Sequence, residues 1–216
     1  MKRLILHSDQ LIPASFAMDR KIFEFIHERP IRMAYIASNT DPERKYFKIK
    51  RMYYERLGIT DLKYFDFDRE ISNTQAKELA EFNAIHLAGG DTNYFLASLH
   101  RSGGLQLLKD FALAGKVLVG ISAGAIITGR NIGITTLLNE TVSSNSTGLS
   151  LMDFEFFPHY DYDDATRLKL QAYSKTRSNK IYACSDGNGI VVEGNKISFF
   201  GEVACFENGI VVDAVG

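Results

Sequence analysis

The run Lys116-Val117-Leu118-Val119-Gly120-Ile121 is almost unbroken apolar sequence, and Ser122-Ala123-Gly124 follows it at once. A strand without polar alternation must be covered on both faces, as in a parallel sheet with helices on either side. Gly120-Ile121-Ser122-Ala123-Gly124 is also G-x-S-x-G, and Ala125-Ile126-Ile127 can begin a helix behind it. In that strand–turn–helix context the serine projects from a sharp bend above the sheet. The bend leaves no room for side chains two residues either side, which suits Gly120 and Gly124. The first amides of the helix have no intrahelical partner, so that of Ala123 is free to face a developing oxyanion. The alternative is a plain strand-to-helix turn whose serine caps the helix.

The remaining pattern alternates strand and helix. Leu4 to His7 and Ile31 to Ala37 read as strands, and Ala14 to His27 carries apolar residues at helical spacing. Asp41-Pro42 is expected to open a long helix that Gly58 ends. Leu62 to Phe67 alternates as a strand, and Asn73 or Thr74 is expected to cap the next helix. Ala84 to Ala88 is a strand running into Gly89-Gly90-Asp91-Thr92-Asn93, followed by helices to Gly103-Gly104 and from Leu105 to Ala114. From Ile181 to Val215 the pattern changes to short strands, with tight turns at Gly194-Asn195 and Asn208-Gly209. The expectation is a three-layer α/β fold with a mostly parallel central sheet and an antiparallel C-terminal extension. Only four prolines occur in 216 residues and no linker-like tract interrupts them, so a single domain over residues 1–216 is expected.

A formal net charge of −1 provides no basic field for phosphates, which argues against nucleic-acid partners. No stretch approaches the roughly 18 apolar residues of a membrane helix. The apolar part of the N-terminus, Leu4-Ile5-Leu6, is too short for a signal peptide. Cys184 and Cys205 fall in strand-like runs and read as buried free thiols of a reducing compartment, so a cytoplasmic location is expected. No Cys/His cluster has zinc-ligand spacing, and neither a metal nor an organic cofactor is implied.

A serine hydroxyl needs a base. Of the five histidines, His27 and His100 lie on helical patterns and read as surface groups, while His7 and His86 read as satisfied core groups. His159 differs: it follows the strand-like Phe154-Glu155-Phe156-Phe157-Pro158 and begins a polar loop. A histidine just past a strand end sits where α/β folds bind ligands, and is a candidate base. Gly90, in the second glycine-rich turn after a buried strand, is a candidate oxyanion donor or an ordinary turn residue.

The Gly89-Gly90-Asp91-Thr92-Asn93 turn, the Gly120-Ile121-Ser122-Ala123-Gly124-Ala125 elbow and Pro158-His159-Tyr160 together resemble the peptidase E (aspartyl dipeptidase) family. Its relatives include cyanophycinase and, more distantly, the class I glutamine amidotransferases. Order and spacing match from about residue 30 to 170. The resemblance implies a serine peptidase with Ser122 as nucleophile, His159 as base, and the amides of Gly90 and Ala123 as oxyanion donors. It implies an acid between serine and histidine, usually an aspartate shortly after a Thr-Thr pair. Here Leu137 follows Thr135-Thr136, and Glu140 stands at the cyanophycinase-like spacing, with Asn139 and Asp153 as lesser candidates. Asp164-Ala165-Thr166-Arg167 is similar to the segment whose arginine grips a substrate aspartate, which makes Arg167 the matching substrate-binding residue. The acidic cluster Asp161, Asp163 and Asp164 is either a site for a substrate amino group or a solvated helix cap.

The implied partner is a short peptide with an N-terminal aspartate, and the chain is expected to be a monomer or homodimer. An isoaspartyl or cyanophycin-type peptidase is a close alternative. A general α/β-hydrolase would place its histidine late, whereas no histidine follows His159. A catalytically silent binding module is the non-enzyme alternative, supported by the absent aspartate after Thr136. A glutaminase would need a cysteine where Ser122 stands.

Overall fold

The apolar run at the elbow forms a strand because its β-branched and leucine side chains are buried on both faces. In the computed structural model, which describes residues 1–68, 70–142 and 145–213, Val117–Ile121 is entirely buried. In chain order the elements are β1 (Arg3–His7), α1 (Phe16–Phe25), β2 (Arg32–Ile36), α2 (Lys45–Arg56) and β3 (Asp61–Phe65). Then come α3 (Asn73–Leu79), β4 (Ala84–Leu87), α4 (Thr92–Ser102), α5 (Gly104–Leu113), β5 (Val117–Ile121) and α6 (Ala123–Ile126). A 3₁₀ turn (Gly133–Leu138), β6 (Glu155–Phe157) and α7 (Asp164–Ser174) lead into β7 (Ile181–Cys184), β8 (Gly189–Glu193), β9 (Lys196–Phe200), β10 (Val203–Glu207) and β11 (Ile210–Asp213).

Among the described residues the strands form a seven-stranded sheet, ordered β3-β2-β4-β5-β1-β8-β9, and a four-stranded sheet, β11-β10-β7-β6. The first five strands of the large sheet are parallel, and β8 and β9 extend it antiparallel. This is the three-layer α/β architecture with a mostly parallel sheet. The alternation of side chains along each strand assigns its two faces. On β1, Ile5 packs with Met18, Ile22 and Phe25 of α1 and with Tyr54 of α2. Its neighbours Leu4 and Leu6 join Leu79, Phe95, Leu99 and Leu108 of α3 to α5 on the other side. The small sheet packs on that same second side, through Phe156, Ala183 and Phe206.

Three local expectations shift. The helix expected at Asp41-Pro42 begins at Lys45, because Asp41 and Pro42 form a turn before it; the Asp41 carboxylate still accepts from the amides of Lys45 and Tyr46. The cap of α3 is Ser72, whose side chain exchanges bonds with Gln75 in a capping box. The C-terminal strands do not all extend the main sheet: β7, β10 and β11 join β6 in the second one. Residues 214–216, at the end of the expected strand region, lie outside the described residues. Cys184 and Cys205 are buried free thiols, and burial pushes the thiol of Cys184 well up. Among the described residues no helix is long and apolar enough to cross a membrane.

Candidate active site

Ser122 stands directly after β5 with φ 48° and ψ −109°, outside the ordinary regions for a residue with a side chain. Such a conformation persists only where the surroundings impose it. They do so here through close backbone packing. A Cβ on Gly124 would lie 2.2 Å from the Leu87 carbonyl oxygen, and one on Gly120 would lie 2.7 Å from that of Gly124. The Ser122 amide donates to the His7 carbonyl at 3.0 Å, which ties the bend to β1.

The Ser122 hydroxyl meets Nε2 of His159 at 2.9 Å. Nδ1 of the same ring meets Oδ1 of Asp186 at 2.7 Å. The carboxylate accepts the Nδ1 proton, which leaves the Nε2 lone pair for the serine hydroxyl. Ser8, fully buried at the end of β1, closes the arrangement. Its hydroxyl donates to Asp186 Oδ1 at 2.8 Å and accepts from the His159 amide at 2.7 Å.

The carboxylate that meets His159 is therefore Asp186 and not the expected Glu140. The Glu140 carboxylate accepts from Thr92 Oγ1 at 3.3 Å and from Asn93 Nδ2 at 3.0 Å, at the start of α4. Burial, with the Asp91 charge, raises its pKa. Asp153 is paired with Arg130 on the surface, and Asn139 ends the 3₁₀ turn in the left-handed region. The physical reason for Asp186 is the small sheet. There β6 and β7 run parallel with Phe157 beside Ala183, so His159 and Asp186 leave adjacent strands at the same edge. The Tyr160 amide donates to the Cys184 carbonyl, and Ser8 and Gly187 bond to the backbone of Asn188 and Asp9. The β7–β8 turn is thereby fastened to the loop after β1. In the sequence, Asp186-Gly187 between two apolar runs carries only a turn signal. The chain order serine, histidine, acid conceals its role.

Gly90 lies beside Ser122 in one cleft of about 530 Å³, which Asp9, Gln10, Ser38, Lys50, His86 and His159 also line. Gly90 has φ 140°, and a Cβ there would lie 2.3 Å from Ser38 Oγ, so the turn admits little else. Ala123 is buried and opens α6. Arg167 does not belong to this cleft. Its guanidinium pairs with Asp164 at 2.7 Å one turn earlier on α7. Asp163 caps that helix by accepting from the Thr166 amide, so two of the three clustered aspartates are occupied as cap and ion pair. Both core histidines depart from the expectation that they are satisfied: among the described residues neither ring nitrogen of His7 has a hydrogen-bond partner, and His86 is bonded at Nδ1, to Tyr54, while its Nε2 is buried without a partner.

The parallel sheet, the strained serine at the edge of β5 and the imidazole–carboxylate pair beside it define a serine hydrolase of α/β type. The chain belongs to peptidase family S51, whose family model matches residues 5–200. It is accordingly a serine peptidase of the peptidase E kind. An uncharacterized peptidase of Listeria monocytogenes is 27% identical over 168 residues, 74% of this chain and 80% of its own length. Peptidase E of Shewanella amazonensis is 27% identical over 132 residues, 57% of this chain and 56% of its own. A crystal structure of a candidate peptidase E from L. monocytogenes matches with a TM-score of 0.70 and 24% identity, covering 92% of this chain and 98% of that one. A peptidase from an acI-B1 actinobacterium matches with a TM-score of 0.75 at 16% identity, covering 99% and 94%. At those identities the two structures speak for the fold.

Proposed function

We propose that this chain hydrolyses short peptides, in particular dipeptides with an N-terminal aspartate, through a Ser122 acyl-enzyme. The observation that carries the reading is the continuous hydrogen-bonded line from Ser122 through His159 to Asp186. His159 takes the hydroxyl proton as Ser122 attacks the scissile carbonyl, and Asp186 holds the ring in the tautomer that allows it. The amides of Gly90 and Ala123 receive the oxyanion, each contributing about 3 kcal/mol to the transition state in comparable sites. His159 then gives the proton to the leaving amine, and water repeats the sequence on the ester.

Glu140 and Arg167 have no part in this chemistry. The silent-module alternative drew on the absent aspartate after Thr136, and Asp186 supplies a carboxylate that removes that support. The aspartyl preference draws on the resemblance to peptidase E. Ser122→Ala should abolish turnover of Asp-Xaa dipeptides while leaving the melting temperature within a few degrees of the parent. A fluorophosphonate probe should label the parent at Ser122. Unimpaired hydrolysis by the alanine variant, or a parent inert to the probe across pH, would sink the proposal.

A further inference from the structure

We infer that Lys50 and His86, held in place by Gln10, form a subsite for a substrate carboxylate in the cleft beside Ser122. The inference rests on the peptidase reading for its biological meaning, though not for its test.

All three residues line the cleft that contains Ser122 and His159. Gln10 is buried, and its orientation follows from its partners. Its amide nitrogen donates to Asp19 Oδ1 at 3.0 Å and to the Tyr54 hydroxyl at 3.3 Å. Its carbonyl oxygen accepts from Lys50 Nζ at 3.2 Å. Asp19 is fully buried, also accepts from the Tyr53 hydroxyl, and stands 3.3 Å from Nε2 of His7. The amide therefore has no second way to sit.

The protons propagate from there. The Tyr54 hydroxyl accepts from Gln10, so its own proton goes to Nδ1 of His86 at 2.9 Å. An imidazole that accepts at Nδ1 carries its proton on Nε2. Burial keeps this ring neutral, with the charges of Lys50 and His7 acting in the same direction. The ring stacks on Tyr35 at 4.8 Å between centroids, which holds its plane. Its Nε2–H is a buried donor with no acceptor among the described residues. Buried donors in native proteins almost always have a partner, so an unpaired one on a residue that lines the cleft points to a ligand that supplies it.

Lys50 adds the charge. An ammonium has three donors. One goes to Gln10, and Asp9 Oδ1 stands 3.7 Å away as an ion-pair partner, outside hydrogen-bond distance. The cleft's carboxylates have partners already: Asp41 accepts from the amides of Lys45 and Tyr46, and Asp9 accepts from the backbone amide of Gln10 at 2.7 Å beside its ion pair with Lys50. One cation beside a neutral donor, with Asp9 nearby, matches a singly charged planar anion better than a phosphate. A carboxylate accepts on two oxygens and fits both donors. It can come from the side chain of the substrate's first residue or from the C-terminus of a dipeptide.

The test is calorimetric titration of the Ser122→Ala protein with Asp-Leu, Asn-Leu and Asp-Leu-amide. Asp-Leu should bind about 10- to 100-fold more tightly than one of the two neutral analogues, the span of a hydrogen bond to a charged group. Loss with Asn-Leu assigns the side-chain carboxylate, and loss with the amide assigns the C-terminal one. Adding Lys50→Met, at a partly exposed position, should bring that ratio close to one; His86→Phe, which keeps the stacking ring, should reduce it. Equal affinities for all three peptides, no binding of any, or a ratio untouched by Lys50→Met would overturn the inference. Because no turnover is involved, binding that discriminates in a parent that never hydrolyses would sink the peptidase reading alone. Hydrolysis without discrimination would sink the subsite alone.

Discussion

Replacing Asp186 with Asn separates the two acids that compete for a role beside His159. Oδ1 of Asp186 accepts from both Nδ1 of His159 and the Ser8 hydroxyl. Two donors aimed at one oxygen will keep an asparagine oxygen there, so the ring tautomer should survive the change. What is lost is the carboxylate charge facing the imidazolium that forms in the transition state. Charge centres about 4 Å apart interact by about 1 kcal/mol in water and about 4 kcal/mol near a protein surface. The Asp186 side chain is 44% exposed, which places the loss between those limits. A value of about 2–3 kcal/mol corresponds to a fall of roughly 30- to 150-fold in kcat. That is less than the roughly 10⁴-fold seen where the asparagine leaves the imidazole in the wrong tautomer. The assay is kcat and KM on Asp-Leu for Asp186→Asn and Glu140→Gln side by side, with melting curves for both. Glu140→Gln, whose amide oxygen can still accept from Asn93 while its NH2 donates to the Thr92 hydroxyl, should stay within about threefold, the scale of a surface change. If Asp186→Asn keeps near-parental kcat while Glu140→Gln loses two orders of magnitude, Glu140 is the orienting acid.

Four further outcomes follow from particular contacts. Ser122→Gly should be inactive yet more stable by about 1 kcal/mol in urea unfolding, since glycine relieves the positive φ; a less stable variant would mean the backbone there is unstrained. Gly124→Ala should lose about 1–3 kcal/mol, because a methyl meets the Leu87 carbonyl; an unchanged urea midpoint contradicts that packing. Ser8→Ala leaves the His159 amide without its protein acceptor and should cost about 1 kcal/mol while lowering kcat; parental values of both would show the hydroxyl to be idle. Burial raises the pKa of Glu155, despite the Tyr173 hydroxyl and Arg177 beside it. A raised folded pKa gives stability that is present below the unfolded value of about 4.3 and lost as pH rises through the folded one. The stability of Glu155→Gln relative to the parent should therefore improve between pH 4 and 7, and a flat difference would refute the assignment.

The elbow was legible because everything it needs is local. An apolar run, two glycines and a helix start specify a buried strand that turns sharply at Ser122, and the observed φ and glycine contacts follow. Alternation and capping likewise marked most strands and helices within a few residues. The misplaced start of α2 and the cap of α3 turned on which of several nearby polar residues reached the free amides. His159 was legible as a residue just past a strand end. What faces its other nitrogen was not, because that depends on which strands pair. The short β6 and β7 combine in a sheet of their own, and this pairing carries Asp186 to the imidazole while Glu140 stays with α4. The same holds for Arg167, bound to its own helix, and for Lys50 and His86, brought to the cleft from α2 and β4. Backbone geometry is written in near neighbours; the partner of a side chain is decided by contacts between segments far apart in the chain, which only the packed sheets bring within bonding distance.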